Sequence, residues 1–187
     1  MTAIGLSAFA IGTLDDIVDE MPKDRKIVAA LAYAGDIAVM EGMRMMSEHA
    51  KPAATDALVH AISMNHWRQK RVVDILWSGK KQGLEIYLEG IRHIEDFVSI
   101  GLLCAVAESR NTNLTEKIME FSRAYGIAIQ VGDDLRETEE DIANGYSSYP
   151  INEGRPFRKS FKLAFKRLEK ARSVIPLEWK RLHGFVD

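Results

Sequence analysis

The 187-residue chain has one cysteine, Cys104, so it can close no internal disulfide, and a lone thiol points to a reducing, cytoplasmic compartment. Long apolar runs are missing. The most apolar stretch, residues 1–14, stops at Asp15 and Asp16, too short to span a bilayer, and it lacks the basic leader and small-residue cleavage site of a signal peptide. No segment alternates strictly between apolar and polar residues and ends in turn signals, which argues against strands. Neither charge dominates: 25 Lys and Arg face 27 Asp and Glu, a formal net charge of −2, which argues against sequence-independent capture of nucleic acid. Internal repeats, low-complexity tracts and domain linkers are lacking as well.

What is present is the composition of one soluble globular domain over residues 1–187, with 47% hydrophobic and 28% charged residues. A chain of this length removes roughly 70% of its unfolded surface from water, so its stability needs no metal or disulfide staple. Apolar residues recur every three or four positions almost throughout, and the expected fold is all-α. Turn chemistry at Met21-Pro22, Lys51-Pro52, Ser78 to Gly83, Asn111 to Asn113, Gly145 to Pro150 and Ile175-Pro176 divides the chain into about seven helices. They fall near 2–20, 24–49, 54–77, 84–109, 114–138, 156–174 and 177–184. In the fourth, Leu84, Leu88, Ile91, Val98, Leu102 and Ala105 share one expected core face. Helices this long, joined by short turns, bury their stripes as an antiparallel bundle.

Two acidic clusters set the functional question. Asp15, Asp16 and Asp19 crowd one side of the carboxyl end of the most apolar helix, where the helix dipole is also negative. A cation is expected there, and oxygen-only ligands favour a hard divalent ion such as Mg2+, which keeps waters and substrate phosphates as its other ligands. Asp133, Asp134 and Glu137 repeat the same i, i+1, i+4 spacing after a second apolar run, with Arg136 inside the cluster as an adjacent residue. One such cluster alone reads as a solvated face. Two matched copies, brought together across a bundle, would hold magnesium ions around a diphosphate, which then becomes a competent leaving group.

These residues resemble the trans-polyprenyl diphosphate synthases of the class I isoprenoid synthases. GTLDDIVDE, residues 12–20, resembles the family's first aspartate-rich motif, and AYAGDIAVMEGM, residues 32–43, resembles the helix that follows it. GIAIQVGDDLRE, residues 126–137, resembles the second motif, including the glutamine before it, and DIANGYSSYPI, residues 141–151, resembles the downstream segment. The resemblance implies a helical bundle of the isoprenoid synthase type and a Mg2+-dependent prenyltransferase that condenses isopentenyl diphosphate with an allylic diphosphate. It implies Asp15, Asp16, Asp133 and Asp134 as catalytic groups, with Asp19 and Glu137 completing the metal ligands. Arg25, Lys26 and Gln130 would contact substrate.

The resemblance also has gaps. Two adjacent arginines are expected after the first motif, and here Asp24 interrupts Lys23, Arg25 and Lys26. A lysine-threonine-glycine element is expected where Ile94, Glu95 and Asp96 stand, and a Gly-Gln-x-x-Asp element is reduced to Asp74. The upstream helices that grip isopentenyl diphosphate have no counterpart, so the domain reads as incomplete relative to the family. Two other functions follow from this: a non-catalytic or regulatory subunit of a heteromeric synthase, and a terpene cyclase-like lyase that needs only one diphosphate. An apolar first helix without its upstream neighbours is expected to expose a hydrophobic face, hence a homodimer or a heterodimer with another synthase subunit.

Smaller features read more plainly. Ala10 leaves room beside a product tunnel or is ordinary helix packing, and Phe9 is a candidate plug. Met40, Met43, Met45 and Met46 line a cavity or fill core. Cys104 reads as an inert buried thiol, the five histidines show no zinc spacing, and Trp67, Trp77 and Trp179 read as packing or interface anchors. Arg158, Lys159, Lys162, Lys166, Arg167 and Lys170 interleave with Phe157, Phe161, Leu163, Phe165 and Leu168 in an amphipathic basic helix. It reads as a bundle helix with a solvated face, or as a peripheral contact with an anionic membrane.

Overall fold

The computed structural model describes residues 3–19, 24–76, 83–109 and 111–175, without the side chains at 14–16, 18–19, 71–76, 109 and 112. The described residues are helical with no strand. They form α1 (Ala3–Asp19), α2 (Arg25–His49), α3 (Pro52–Leu76), α4 (Leu84–Gly90) and α5 (His93–Ser109). A 3-10 turn (Thr112–Leu114) then leads into α6 (Thr115–Arg136), α7 (Thr138–Asn144), α8 (Tyr149–Glu153) and α9 (Arg158–Val174). The helix expected at 177–184 lies outside the described residues, as do Trp77 and Trp179.

The element count rises above seven because residues 84–109 form two helices and two short helices, α7 and α8, fall between the fifth and sixth expected ones. Residues 84–109 break at Ile91 and Arg92, whose backbone leaves the helical path. The groups freed there are met by side chains: the buried His93 ring donates from Nδ1 to Gly90 O (3.2 Å), and Asn65 Nδ2 donates to His93 O (2.9 Å). The break also rotates the buried face. Ile91 is buried and Leu88, Val98 and Leu102 are half-buried as expected, but Leu84 and Ala105 are exposed while Tyr87, Ser99, Ile100 and Cys104 are buried. α5 lies between α3 and α6, so two of its sides are covered. Further on, α7 ends at Gly145, which takes φ +78, a conformation glycine adopts without Cβ strain. Pro150 then sits in the first turn of α8, where its missing N–H costs nothing. Glu153 closes the gap to α9 by accepting from the backbone N–H groups of Lys159 (2.6 Å) and Ser160 (2.8 Å).

Contacts along the helices fix their directions. Ser7 packs at Gly42 and Thr13 at Gly35, so α1 and α2 are antiparallel. Residues 50 and 51 turn the chain back into α3, and Lys51 N–H donates to Glu108 at the far end of α5 (2.9 Å), while Asn65 reaches the start of α5. α3 and α5 are therefore antiparallel. Gly126 of α6 lies against Ile94 and Arg123 pairs with Glu95, so α6 returns antiparallel to α5. It follows that α1 runs parallel to both α3 and α6.

Three apolar clusters hold this arrangement. One joins α1, α2, α3 and α5 through Ile11, Met46, Leu58, Ile62, Ile100 and Cys104. A second packs Tyr87 of α4 and Ile91 just after it on Ile127 and Val131 of α6. The third sets Phe121 and Ala124 of α6 against Ala171 and Ile175 at the end of α9. The α1–α2 contact depends on small side chains: a Cβ at Gly42 would lie 2.9 Å from Ser7 Oγ and 3.0 Å from Ala3 O, and one at Gly35 only 2.7 Å from Thr13 Oγ1. Ala10 is fully buried in this contact, Phe9 is half-exposed, and Met40 and Trp67 are exposed. No described helix is long and apolar enough to cross a membrane.

Candidate functional site

The parallel course of α1 and α6 brings both acidic segments to one end of the bundle. Ile4 lies beside Gly101 of α5, and Gly126 beside Ile94. At about 1.5 Å of rise per residue, Asp15 falls about 5 Å beyond the level of His93 and Asp133 about 9 Å beyond it. Because α2 is antiparallel to α1, Arg25 and Lys26 start their helix at that same end, where both are exposed. Asp24 caps the helix, accepting from Lys26 N–H at 2.8 Å. The side chains of Asp15, Asp16, Asp19 and Asp74 lie outside the described residues.

On α6 the three acids occupy different environments. Asp134 is buried, and each of its oxygens accepts a hydrogen bond: Oδ2 from Tyr87 Oη (2.7 Å) and Oδ1 from Gln130 Nε2 (2.9 Å). Burial pushes its carboxyl up to about 7; the two hydrogen bonds pull the other way, and the charges of Asp141 and Asp133 add to the rise. Burial also raises the Tyr87 phenol, reinforced by the Asp134 charge. Asp133 and Glu137 are more open, with side chains 41% and 43% exposed. Arg136 does more than sit beside them, since its Nη2 donates to both at 2.6 Å. Burial raises Asp133 as well, with Glu137 adding repulsion. Asp141 is pushed up to about 6, first by burial and then by Glu137, Glu140 and Asp133.

At this end of α6, burial and neighbouring negative charge therefore raise Asp133, Asp134 and Asp141 together, a strain that a divalent ion would relieve. Asp133 and Glu137 offer the accessible oxygen donors, the ligand chemistry that suits Mg2+. Asp134 is placed to fix the α6 end against α4, and its burial leaves it the least accessible of the three acids. Among the described residues no group of three or more His, Cys, Asp or Glu side chains is arranged to hold a metal ion.

A second polar centre lies between α3, α5 and α6, where Glu95 and Asp96 replace an expected basic element. Glu95, 3% exposed, accepts from Arg123 Nε (3.2 Å) and Nη2 (3.1 Å), and Arg92 Nε lies 3.7 Å away. Asp96 accepts from Arg68 Nη1 at 2.8 Å, and burial nevertheless raises its carboxyl to about 6. Beside Glu95 opens a cleft of about 390 Å³ whose wall mixes Glu85, Glu89, Arg92, Arg123 and Arg167 with apolar Leu88 and Ile127. Sequence reading missed Tyr87 and the partners of Glu95 and Asp96. Each contact joins residues 28 or more positions apart, and no local pattern reports that. Asp141 did carry a signal, since it extends the acidic run that begins at Asp133. Cys104 is buried, and burial raises its thiol, which leaves it a poor nucleophile.

No protein-family model matches this chain, nor does any curated protein or any solved structure.

Proposed function

We propose that the chain is a Mg2+-dependent prenyltransferase with a bundle of the isoprenoid synthase type, condensing isopentenyl diphosphate with an allylic diphosphate into a longer linear isoprenoid diphosphate. The observation that carries this reading is the parallel course of α1 and α6, which ends both acidic segments at the end of the bundle where Arg25 and Lys26 begin α2. Magnesium, when bound, supplies positive charge against the diphosphate. The chain's own residues do the rest. Asp133 and Glu137 present oxygens at the surface, while Tyr87 and Gln130 hold Asp134 and so set the height of that pair. Arg25 and Lys26 offer cationic contacts to phosphate oxygens, and the apolar body of α1 keeps water from a reactive carbocation.

One observation favours a second reading, a non-catalytic subunit paired with a complete synthase: both Asp134 oxygens are already engaged and Arg136 bridges Asp133 to Glu137. A single assay separates the two. Purified chain is incubated with labelled isopentenyl diphosphate, an allylic diphosphate primer and Mg2+, alongside Asp15→Ala and Asp133→Ala. Prenyl transfer that each substitution lowers by at least a hundredfold supports the first reading, and product formation indifferent to both overturns it. Product that appears only with a second synthase subunit supports the alternative, and hydrocarbon formed without isopentenyl diphosphate would identify a cyclase-like lyase.

A further inference from the structure

The two largest apolar side chains of α9 face solvent. Phe161 and Phe165 are 59% and 64% exposed, one helical turn apart on the same side. The inner side of α9 is built instead from Ser160 and Ala171, both fully buried, with Leu163 and Ala164 packed on the α4–α6 cluster. These small inward residues let α9 lie close to α6. The phenylalanines are therefore not displaced from a core position; the core contact is complete without them.

Charge follows the same outer side. α9 has six basic residues from Arg158 to Lys170, and Arg172 follows, against a single acid, Glu169, although the whole chain is net acidic. Arg158, Lys159, Lys162 and Lys166 are exposed along one flank of the phenylalanine pair. Lys170 pairs with Glu120, and Lys159 lies near Glu153, whereas Arg158, Lys162 and Lys166 have no partner among the described residues. A solvated bundle face explains the lysines but not the aromatics. An exposed aromatic pair flanked along one side by cations unpaired among the described residues is an arrangement that beds rings into the headgroup boundary while lysines meet anionic lipid.

We propose that the outer face of α9 docks on an anionic bilayer surface, with the helix axis in the membrane plane, Phe161 and Phe165 inserted, and Arg158, Lys162 and Lys166 on lipid phosphates or carboxylates. This stands apart from the prenyltransferase reading and survives its failure. The probe is co-sedimentation with vesicles of pure phosphatidylcholine and of phosphatidylcholine with one quarter phosphatidylserine, at physiological salt. Heparin retention is followed in parallel as a readout of charge alone.

The expected result is binding to the anionic vesicles at least tenfold tighter than to the neutral ones. The double variant F161S/F165S should lose tenfold or more on anionic vesicles while keeping its heparin retention. K162Q/K166Q should weaken both, by roughly thirtyfold on vesicles at the usual worth of a lysine near an anionic surface. All four side chains are exposed, and circular dichroism confirms the fold of each variant. Failure to sediment with anionic vesicles, equal binding to both vesicle types, or F161S/F165S binding anionic vesicles as wild type does, overturns the proposal. The last outcome would point to a polyanion such as nucleic acid.

Discussion

Replacing Gly42 by alanine tests how closely α1 must approach α2. In an isolated helix this change is favourable by about 1 kcal/mol, because glycine has more backbone freedom to lose. Here the added methyl would stand 2.9 Å from Ser7 Oγ, 3.0 Å from Ala3 O and 3.6 Å from Leu6 Cβ. Ser7 is fully buried, and its hydroxyl donates to Ala3 O at 3.1 Å, so turning it aside breaks that bond. Ala3 O belongs to the backbone and can retreat only if α1 does. Overpacking of this kind costs about 1–3 kcal/mol, so the net expectation is a loss of up to about 2 kcal/mol, or up to roughly 8 °C in melting temperature at this chain length. Gly12→Ala is the matched control on α1: nothing lies within 4 Å of its Cβ position, and it should gain up to about 1 kcal/mol. Ser7→Ala combined with Gly42→Ala should recover part of the loss, a coupling expected only of contacting residues. Urea unfolding followed by circular dichroism reads all four proteins. If Gly42→Ala proved as stabilising as Gly12→Ala, the close approach of α1 and α2 would be wrong, and with it the placing of Arg25 and Lys26 at the end of the bundle where α1 stops.

Two further predictions concern buried acids. Asp96 has a folded pKa of about 6 against an ordinary 3.8, so the native state holds a proton that the unfolded chain has lost between those values. Stability should therefore fall as pH rises from about 4 to about 6, by about 3 kcal/mol from this group. Asp96→Asn should flatten that part of the curve, and urea midpoints that decline identically in both proteins would refute the assignment. Tyr87→Phe removes one donor from Asp134 and so raises its pKa further above about 7. The cost should be small near pH 5, where the carboxyl is protonated, and reach about 1.5–3 kcal/mol near pH 8. A loss that does not change with pH would mean that the phenol acts by packing alone.

The all-α class was legible because period-three-and-four patterning runs through α1, α2, α3, α6 and α9 with turn residues between them. The break at Ile91 was not. Asn65 and Arg68, side chains on another helix, brace it by donating to His93 O and Arg92 O, contacts no local pattern reports. α9 shows a different limit. Its sequence contains two apolar arcs, one led by Phe161 and Phe165 and one by Leu163, Ala164 and Ala171, and periodicity cannot say which faces inward. Packing selects the smaller set because α6 lies close there. In the candidate site, the acids Asp133, Asp134 and Glu137 were visible as a spacing. That burial and Tyr87 would set Asp134 apart from its neighbours depends on α4 crossing α6, a contact 47 positions apart in the chain.

The discontinuity between α4 and α5 also acts as a detent. Arg68 Nη1 donates to Arg92 O (3.3 Å), as Asn65 does to His93 O, from positions three residues apart on one side of α3. Both catches engage at only one axial setting. Slipping α3 by a single residue would swing them about 100° around the helix and break both hydrogen bonds at once. α1 and α6 take their level from α5 directly, through Ile4 at Gly101 and Gly126 at Ile94, so the catch fixes α3 against that same frame.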